Sequence, residues 1–266
     1  MRWKSYDGVA QAYSQVSAPK VFAGPARDLV RLLAPRAGAK VLDVGTGTGV
    51  AAQCARRAGA AVVVGLDLSQ GMLVEARQGG LRAPVRGRVP GLPFAGGVFD
   101  AVIASFVLNH VAAYAEALAD MAQVLRRGGK LGVTNWGPLD SEPRQYWNEL
   151  AQAVSGKDAL SRAVSEAVPC EDWFSDPAHL RQAFADAGFD GVEVQAKRYA
   201  LRWTIAEFLA NREVAVQARF LQATLAAAEW ERFRERLQDA FAARYREPLE
   251  DTLLVYLCVG ARRGLE

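Results

Sequence analysis

Apolar positions along this chain fall into two rhythms that meet near residue 136. Before it, short unbroken apolar runs alternate with stretches of helical spacing. Val41-Leu42, Ala61 to Leu66 and Ala101 to Ser105 are continuous runs, as parallel strands covered on both faces should be. A shorter strand is predicted at Val85 to Arg88 and a fifth from Lys130 to Asn135. Between the runs, the small residues Ala51, Ala52 and Ala55 suit a helix packed closely on a sheet. Ser69 has the character of an N-cap for a helix through Met72, Leu73 and Ala76 to Gly79-Gly80. Leu118, Met121, Val124 and Leu125 fall at helical spacing, and Gly128-Gly129 supplies the stop. Ahead of the first strand, one helix carries Tyr6, Val9, Ala10 and Tyr13, and a second runs from about Pro25 to Leu33 before Pro35.

Beyond Trp136 this rhythm breaks. Residues 138 to 175 mix helical signals with Trp147, Trp173 and Phe174, and Asp176-Pro177 opens a helix that stops at Gly188. Val192 to Val194 and Tyr199 to Trp203 alternate as a strand does. Thr204-Ile205-Ala206-Glu207 is a capping box, predicting one long helical region that reaches Arg246 before Pro248. Leu253 to Val259 is a final strand.

The candidate chemistry concentrates at Asp43-Val44-Gly45-Thr46-Gly47-Thr48-Gly49, where a carboxylate directly precedes a three-glycine turn leading into a helix. Glycines there let the chain turn tightly and let a ligand approach backbone groups. The dinucleotide fingerprint needs a glycine where this chain has Val50, and no Lys-Ser or Lys-Thr follows to meet a triphosphate. A carboxylate beside the turn repels a pyrophosphate but suits a ligand carrying an ammonium and a sulfonium.

That combination resembles motif I of the class I S-adenosylmethionine (SAM) dependent methyltransferases, acid-x-Gly-x-Gly-x-Gly. The run Ala61 to Leu66 ends in Asp67, where a Rossmann-like site grips ribose hydroxyls. Gly91-Leu92-Pro93-Phe94 through Phe99-Asp100-Ala101-Val102 is similar to the family's approach to strand four. Val124-Leu125-Arg126-Arg127-Gly128-Gly129 is similar to its turn into strand five, with Arg127 where proline is usual. The resemblance covers about residues 36 to 136 and is strongest to the ubiquinone and menaquinone methyltransferase-like group. It implies an α/β, Rossmann-like, seven-stranded and mainly parallel sheet with helices on both faces and a helical cap. The implied organisation is a SAM-binding core with N-terminal helices (1–137), a cap insertion (138–175), a core helix and strand (176–203), a helical lid (204–248) and a last core strand (249–266).

The cofactor implied is S-adenosylmethionine, with S-adenosylhomocysteine as product, at the switch point between strands one and four. Asp43, Gly45, Thr46, Gly47, Gly49, Asp67, Leu68, Met72, Arg88, Val89 and Ser105 are its expected contacts. Many relatives place an aspartate after the equivalent of Gly87 to accept the adenine amino hydrogen. This chain has Arg88 there, so that contact must come from elsewhere or from the Val89 backbone and apolar packing.

His110 follows strand four, near where the methyl group should point. A neutral imidazole there can take a proton from an acceptor, packing at the turn being the plainer alternative. Tyr13, Trp136 and Trp173 are candidate walls of a substrate pocket, or plain core aromatics; His179, at a helix start, reads as solvated. Ser105-Phe106-Val107-Leu108 is unlike the Asn/Asp-Pro-Pro-Tyr turn of adenine or glutamine methyltransferases, no Pro-Cys nucleophile stands there, and no cluster of acids suggests magnesium. Metal-free transfer to oxygen, carbon or nitrogen of a small organic acceptor is the reading that remains. A SAM-binding protein without methyl transfer, or an RNA or protein methyltransferase, are the alternatives.

Composition narrows these. At 266 residues, about half of them apolar, the chain can bury a large core. A net charge of +3, with arginines interleaved among glutamates at Glu231 to Arg236, gives little reason to expect nucleic acid as a partner. Cys54, Cys170 and Cys258 are too far apart for a zinc site or a disulfide framework and read as reduced thiols. Charges interrupt every apolar stretch well before membrane length, so a cytoplasmic protein without membrane insertion is expected.

Overall fold

A computed structural model describes residues 2–264. The chain starts with short helical turns, Arg2–Lys4 and Asp7–Val9, and then α1 (Ala10–Ala12), which runs through a π-helical stretch, Tyr13–Phe22, into α2 (Ala23–Leu33). Pro19 lies inside the π stretch, where its missing N–H and ring force a wider winding. The alternating part follows: β1 (Lys40–Val44), α3 (Val50–Arg57), β2 (Val62–Asp67), α4 (Gln70–Gln78), β3 (Ala83–Arg86), β4 (Phe99–Ser105), α5 (Tyr114–Val124) and β5 (Leu125–Trp136). After α6 (Glu142–Ser155), α7 (Lys157–Ala167) and α8 (Glu171–Phe174), the chain returns through α9 (Pro177–Asp186) to β6 (Phe189–Trp203). The last elements are α10 (Ile205–Glu213), α11 (Val216–Thr224), α12 (Ala227–Arg244) and β7 (Leu249–Arg262).

The strands form one seven-stranded sheet in the order β3-β2-β1-β4-β5-β7-β6. β1 pairs in parallel with β2 and β4, whereas β7 runs antiparallel to β5 and β6. Both faces are covered, and the strand pleat shows why continuous apolar runs were needed. Val41, Ala101 and Ile103 pack with α2 residues Leu29 and Leu33 on one face. Leu42, Val102 and Ala104 pack with Leu118 and Met121 of α5 and Phe184 of α9 on the other.

Chain direction decides where the cap sits. The excursion from α6 to α8 leaves the carboxyl end of β5. The excursion from α10 to α12 joins Trp203 to Leu249, which are paired at the same edge of the sheet. Trp147, Leu160, Phe208, Leu221, Trp230, Phe233 and Phe241 from the two excursions fuse into one apolar cluster that also takes in Val21 and Leu253.

Several boundaries differ from the sequence expectations, among them the final strand, which runs Leu249–Arg262 rather than Leu253 to Val259. Strand three is Ala83–Arg86, so Arg88 and Val89 lie in the loop after it. α5 stops at Val124, and Leu125 to Gly129 already belong to β5, with a register irregularity opposite Phe99 and Ala101. β6 is unbroken through the polar run Gln195 to Arg198, which pairs with Leu254 to Leu257. That run hid the strand because β6 is an edge strand, where exposed charges are tolerated and protective. The single long helix after Thr204 is three helices. Ala215, Leu225 and Ala226 adopt extended backbone without any glycine or proline, and the turns let three apolar faces fold onto one core.

Candidate active site

The loop from β1 to α3 follows the physical logic of its glycines. Gly45 has φ +61°, and a Cβ there would lie 2.5 Å from Val107 Cγ2. Gly47, φ +53°, faces open space. The loop is tied down from both sides: Thr46 N donates to Leu66 O at 2.9 Å, and Gly47 N donates to Asp67 Oδ2 at 2.8 Å. Asp67 Oδ1 accepts from Ser69 N at 2.8 Å, and Ser69 Oγ caps α4 by accepting from Met72 N. One carboxylate thus ties the glycine turn to the start of α4, with lone pairs to spare.

Asp43 sits beneath this loop with 1% of its surface exposed. Its Oδ2 accepts from Thr46 Oγ1 at 2.7 Å, while Oδ1 has no hydrogen-bond partner. Burial pushes its pKa up to about 7, helped by the nearby charge of Asp67. Burial raises Asp67 as well, against the three backbone N–H groups that favour its charged form.

A cavity of about 410 Å³ opens above the loop, bounded by Gly45, Gly47, Asp67, Leu68, Met72, Arg88, Val89 and Ser105, and on its far side by Tyr6, Tyr13, Phe22, Phe106, His110 and Trp136. Leu68 is 66% exposed, an apolar face turned to the cavity mouth. The N-terminal segment straps across this opening: Asp7 Oδ1 accepts from Ser69 Oγ at 2.6 Å and from Gly71 N at 2.9 Å. Arg219 stacks over Tyr6 at 4.1 Å and donates to the carbonyl of Ser5 at 2.9 Å.

Strand four ends in a strained turn. Phe106 has φ +57°, unusual for a residue with a side chain, and its N–H donates to both Thr134 O and Thr134 Oγ1. The turn aims the Phe106 ring into an aromatic wall, stacked on Trp136 at 4.0 Å and edge-on to Phe22 at 5.2 Å, with Tyr13 stacked on Phe22. His110 follows on the short helical turn Leu108–His110, edge-on to Tyr6. Its Nδ1 lies 3.3 Å from the Ala167 carbonyl. A carbonyl only accepts, so Nδ1 carries the proton and the Nε2 lone pair is left free. Burial, with a smaller push from Arg219, pulls the His110 pKa down to about 4.

A second cavity, about 190 Å³, lies under the cap. Tyr6, Tyr13, Phe22, His110 and Trp136 line both cavities. The polar groups that line only the cap cavity are Ser17, Asn109, Asp140, Arg144, Asn148, Glu171, Asn211, Arg212, Gln217 and Thr252, with Asp140 paired to Arg198.

Most residues expected from the sequence converge on this cleft, but four do not line it. Asp43, Thr46 and Gly49 stand behind the cavity wall, the last opening α3. Trp173, expected in the substrate wall, lines neither cavity: it is 44% exposed and stacks flat on His179 at 3.5 Å. α8 is a short turn whose inward position is taken by Phe174. His179, expected in solvent, is half-buried by the same stacking. Sequence reasoning passed over Tyr6, Phe106, Glu171 and the cap arginines. One signal for the arginines was available. Arg212 continues the Ile205, Phe208, Leu209 stripe of α10, and Arg144 sits at helical spacing from Trp147 and Ala151, so each charge occupies an apolar face.

Among the described residues, no three His, Cys, Asp or Glu side chains gather in a metal-holding group, and no helix is long and apolar enough to cross a membrane. The three cysteines are free thiols, Cys170 and Cys258 buried and Cys54 half-buried.

A sheet reversing between β1 and β4, a glycine turn at that point and an acid at the end of β2 define a Rossmann-like nucleotide cleft. A family model described as a methyltransferase domain matches residues 42–133. Demethylmenaquinone methyltransferase of Tropheryma whipplei is 33% identical over 189 residues, covering 64% of this chain and 76% of that protein. The enzyme of the same name from Renibacterium salmoninarum is 34% identical over 202 residues, covering 70% and 83%. The YcgJ protein of Bacillus subtilis shares the fold with a TM-score of 0.59 at 18% identity, over 91% of this chain and all of that one. The chain belongs to the class I methyltransferases and is a SAM-dependent enzyme.

Proposed function

We propose that the enzyme methylates a nucleophilic oxygen, carbon or nitrogen of a small organic acceptor seated under the cap, next to a cofactor held above the glycine turn. The observation that carries this reading is the meeting of the two cavities at Tyr6, Tyr13, Phe22, His110 and Trp136. The residues on the loop side fit the cofactor. Asp43, just behind the cavity wall, has a buried Oδ1 without a partner and gives the loop the negative potential that suits an ammonium group. Asp67 has lone pairs left for two vicinal hydroxyls, and Leu68, Met72 and Val89 offer apolar surface to a purine. Arg88 is exposed, and a guanidinium has no acceptor for the adenine amino group, which leaves the base to apolar packing and backbone.

S-adenosylmethionine, when bound, supplies a methyl group on a positively charged sulfur, ready for attack by a nucleophile. The protein's part is to align the acceptor, exclude water and manage one proton. Strap and cap close over the cleft, and the aromatic wall of Tyr13, Phe22, Phe106 and Trp136 suits a planar ring, in keeping with the quinones named for the relatives. His110 is unprotonated at neutral pH, and its Nε2 is the free base at the shared end of the cavities. With a pKa near 4 it is a weak base, so it takes the proton only as the nucleophile's own acidity rises during attack.

Calorimetry against S-adenosylhomocysteine, NAD and ATP, followed by a screen of phenols and quinols for release of S-adenosylhomocysteine, tests the reading. Binding of the first ligand alone and turnover with at least one acceptor are expected. Preference for NAD or ATP would overturn it.

A further inference from the structure

The cap cavity contains a buried guanidinium with no carboxylate in contact, Asp251 and Glu171 acting on it only from a distance. Arg212 is 7% exposed, and its Nε has no hydrogen-bond partner. Its Nη2 reaches Asn148 Oδ1 and Gln217 Oε1 only at 3.4 Å each, the long limit of a hydrogen bond, and its guanidinium lies 4.8 Å from the Trp147 ring centre. Among the described residues it forms no ion pair. The neighbouring Arg144 shows what a settled arginine looks like in this cap: its Nε and Nη2 donate to both oxygens of Asp251 at 2.9 to 3.2 Å, and Ser141 and Trp203 complete that carboxylate's partners. Glu171 faces the cavity too, but it is beyond ion-pair distance of Arg212. Its carboxyl is hydrogen-bonded by Asn109, and burial raises its pKa.

A buried guanidinium with neither a carboxylate nor well-formed hydrogen bonds is costly, and a fold gains nothing by retaining one for stability. Burial and the like charge of Arg144 pull the Arg212 pKa down to about 9, so it stays charged at neutral pH. The planar fork of a guanidinium matches one partner best, a carboxylate held through two parallel hydrogen bonds. A single negative charge also fits better than a phosphate dianion, because Glu171 already contributes negative potential to the same space.

We propose that Arg212 is a specificity-determining residue that binds a carboxylate of the acceptor, so that the acceptor has a nucleophilic centre at one end and a carboxylate at the other. This rests on the reading that the acceptor occupies the cap cavity. Arg212 lines only that cavity, whereas His110 lines both. The carboxylate is therefore the anchor far from the donor, and the reacting atom lies at the end shared with the cofactor. The cavity's 190 Å³ is below the usual range for drug-sized ligands and suits an acid of a single ring.

The test uses the whole protein saturated with S-adenosylhomocysteine and titrated with benzoate and with benzamide, two probes of one size and shape that differ in charge. Benzoate should bind at least about tenfold more tightly to the wild type, as charge-assisted hydrogen bonds imply. Arg212→Gln should erase that preference while S-adenosylhomocysteine binds within about twofold of wild type. Arg212→Lys, which keeps the charge but not the fork, should retain part of it, and it serves alone if the glutamine variant does not hold the nucleoside. Equal binding of the two probes to the wild type, absence of binding by both, or a preference that survives Arg212→Gln would overturn the inference. Failure of the wild type to bind S-adenosylhomocysteine would instead strike the functional reading beneath it.

Discussion

The cleft has two ends, and each holds a buried charge that the protein itself does not pair, of opposite sign. At the donor end Asp43 has an oxygen with no partner and a pKa raised to about 7. At the cap end Arg212 has a nitrogen with no partner and a pKa lowered to about 9. Other charges in the same molecule are matched, as with Arg144 on Asp251 or Arg36 and Arg126 on Asp100, while the buried Arg219 rests on backbone carbonyls and the Tyr6 ring. Unmet charge is costly to bury, and at these two places, one behind the wall of the donor cavity and one lining the cap cavity, ligand groups of opposite charge are expected. The ends differ in construction. The donor end consists of backbone turns and one short loop, rigid on the sheet; the cap end consists of side chains from helices that meet only after the chain has folded.

The largest expected effect falls where the two ends meet. With an acceptor in hand, His110→Ala should lower turnover by about 10² to 10⁴-fold and leave S-adenosylhomocysteine affinity nearly unchanged. Wild-type rates would reduce His110 to packing and leave alignment as the whole catalytic account. At the donor end, Asp67→Ala should weaken S-adenosylhomocysteine by about 1 to 3 kcal/mol in calorimetry, since it removes both the hydroxyl acceptor and the tie to Gly47.

Asp43 gives a pH signature at the donor end. Its carboxyl titrates near pH 7 in the free protein, and a bound ammonium would hold it ionised, so binding below pH 7 must expel a proton. SAM affinity should then fall by about tenfold per pH unit as pH drops below that value, and Asp43→Asn should bind weakly with that component of the slope gone. The sign for stability is opposite. A carboxyl whose folded pKa is raised stabilises the fold while protonated, and this contribution is lost as pH rises from about 4 through about 7. The ligand-free Asp43→Asn protein should therefore melt above wild type at pH 8, with the gap closing toward pH 4. A constant gap across that range would mean that Asp43 is paired in solution. The smallest effect is expected outside both ends: Trp173→Ala, on the exposed stack with His179, should leave the acceptor's KM within about twofold.

The donor end was legible in the sequence because its chemistry is local. A tight turn with positive φ demands glycine, a parallel strand buried on both faces demands an unbroken apolar run, and an acid at the end of such a strand has one place to point. Gly45, Gly47 and Asp67, which line the cavity, could therefore be named from adjacent residues. The same local logic misjudged the cap. Nothing in Ala215, Leu225 or Ala226 signals a helix break, and only the burial of Phe208, Leu221 and Phe233 in one core makes the chain turn there. It also misplaced Trp173, because aromatic character alone does not say whether Trp173 or Phe174 faces inward on a helix of one turn.

By itself, then, the amino-acid order indicated the alternating sheet, the glycine turn and the acid at the end of β2, which follow from local patterns in the chain, while the cofactor came from the resemblance those motifs bear to a known family. Tertiary structure alone decided that both excursions leave the carboxyl edge, that Tyr6 and His110 join two cavities, and that Arg212 of α10 faces the residues of α6 and α8 with no carboxylate in ion-pair contact. Those outcomes depend on contacts between residues far apart in the chain, whose burial and charge environment exist only once the helices have packed.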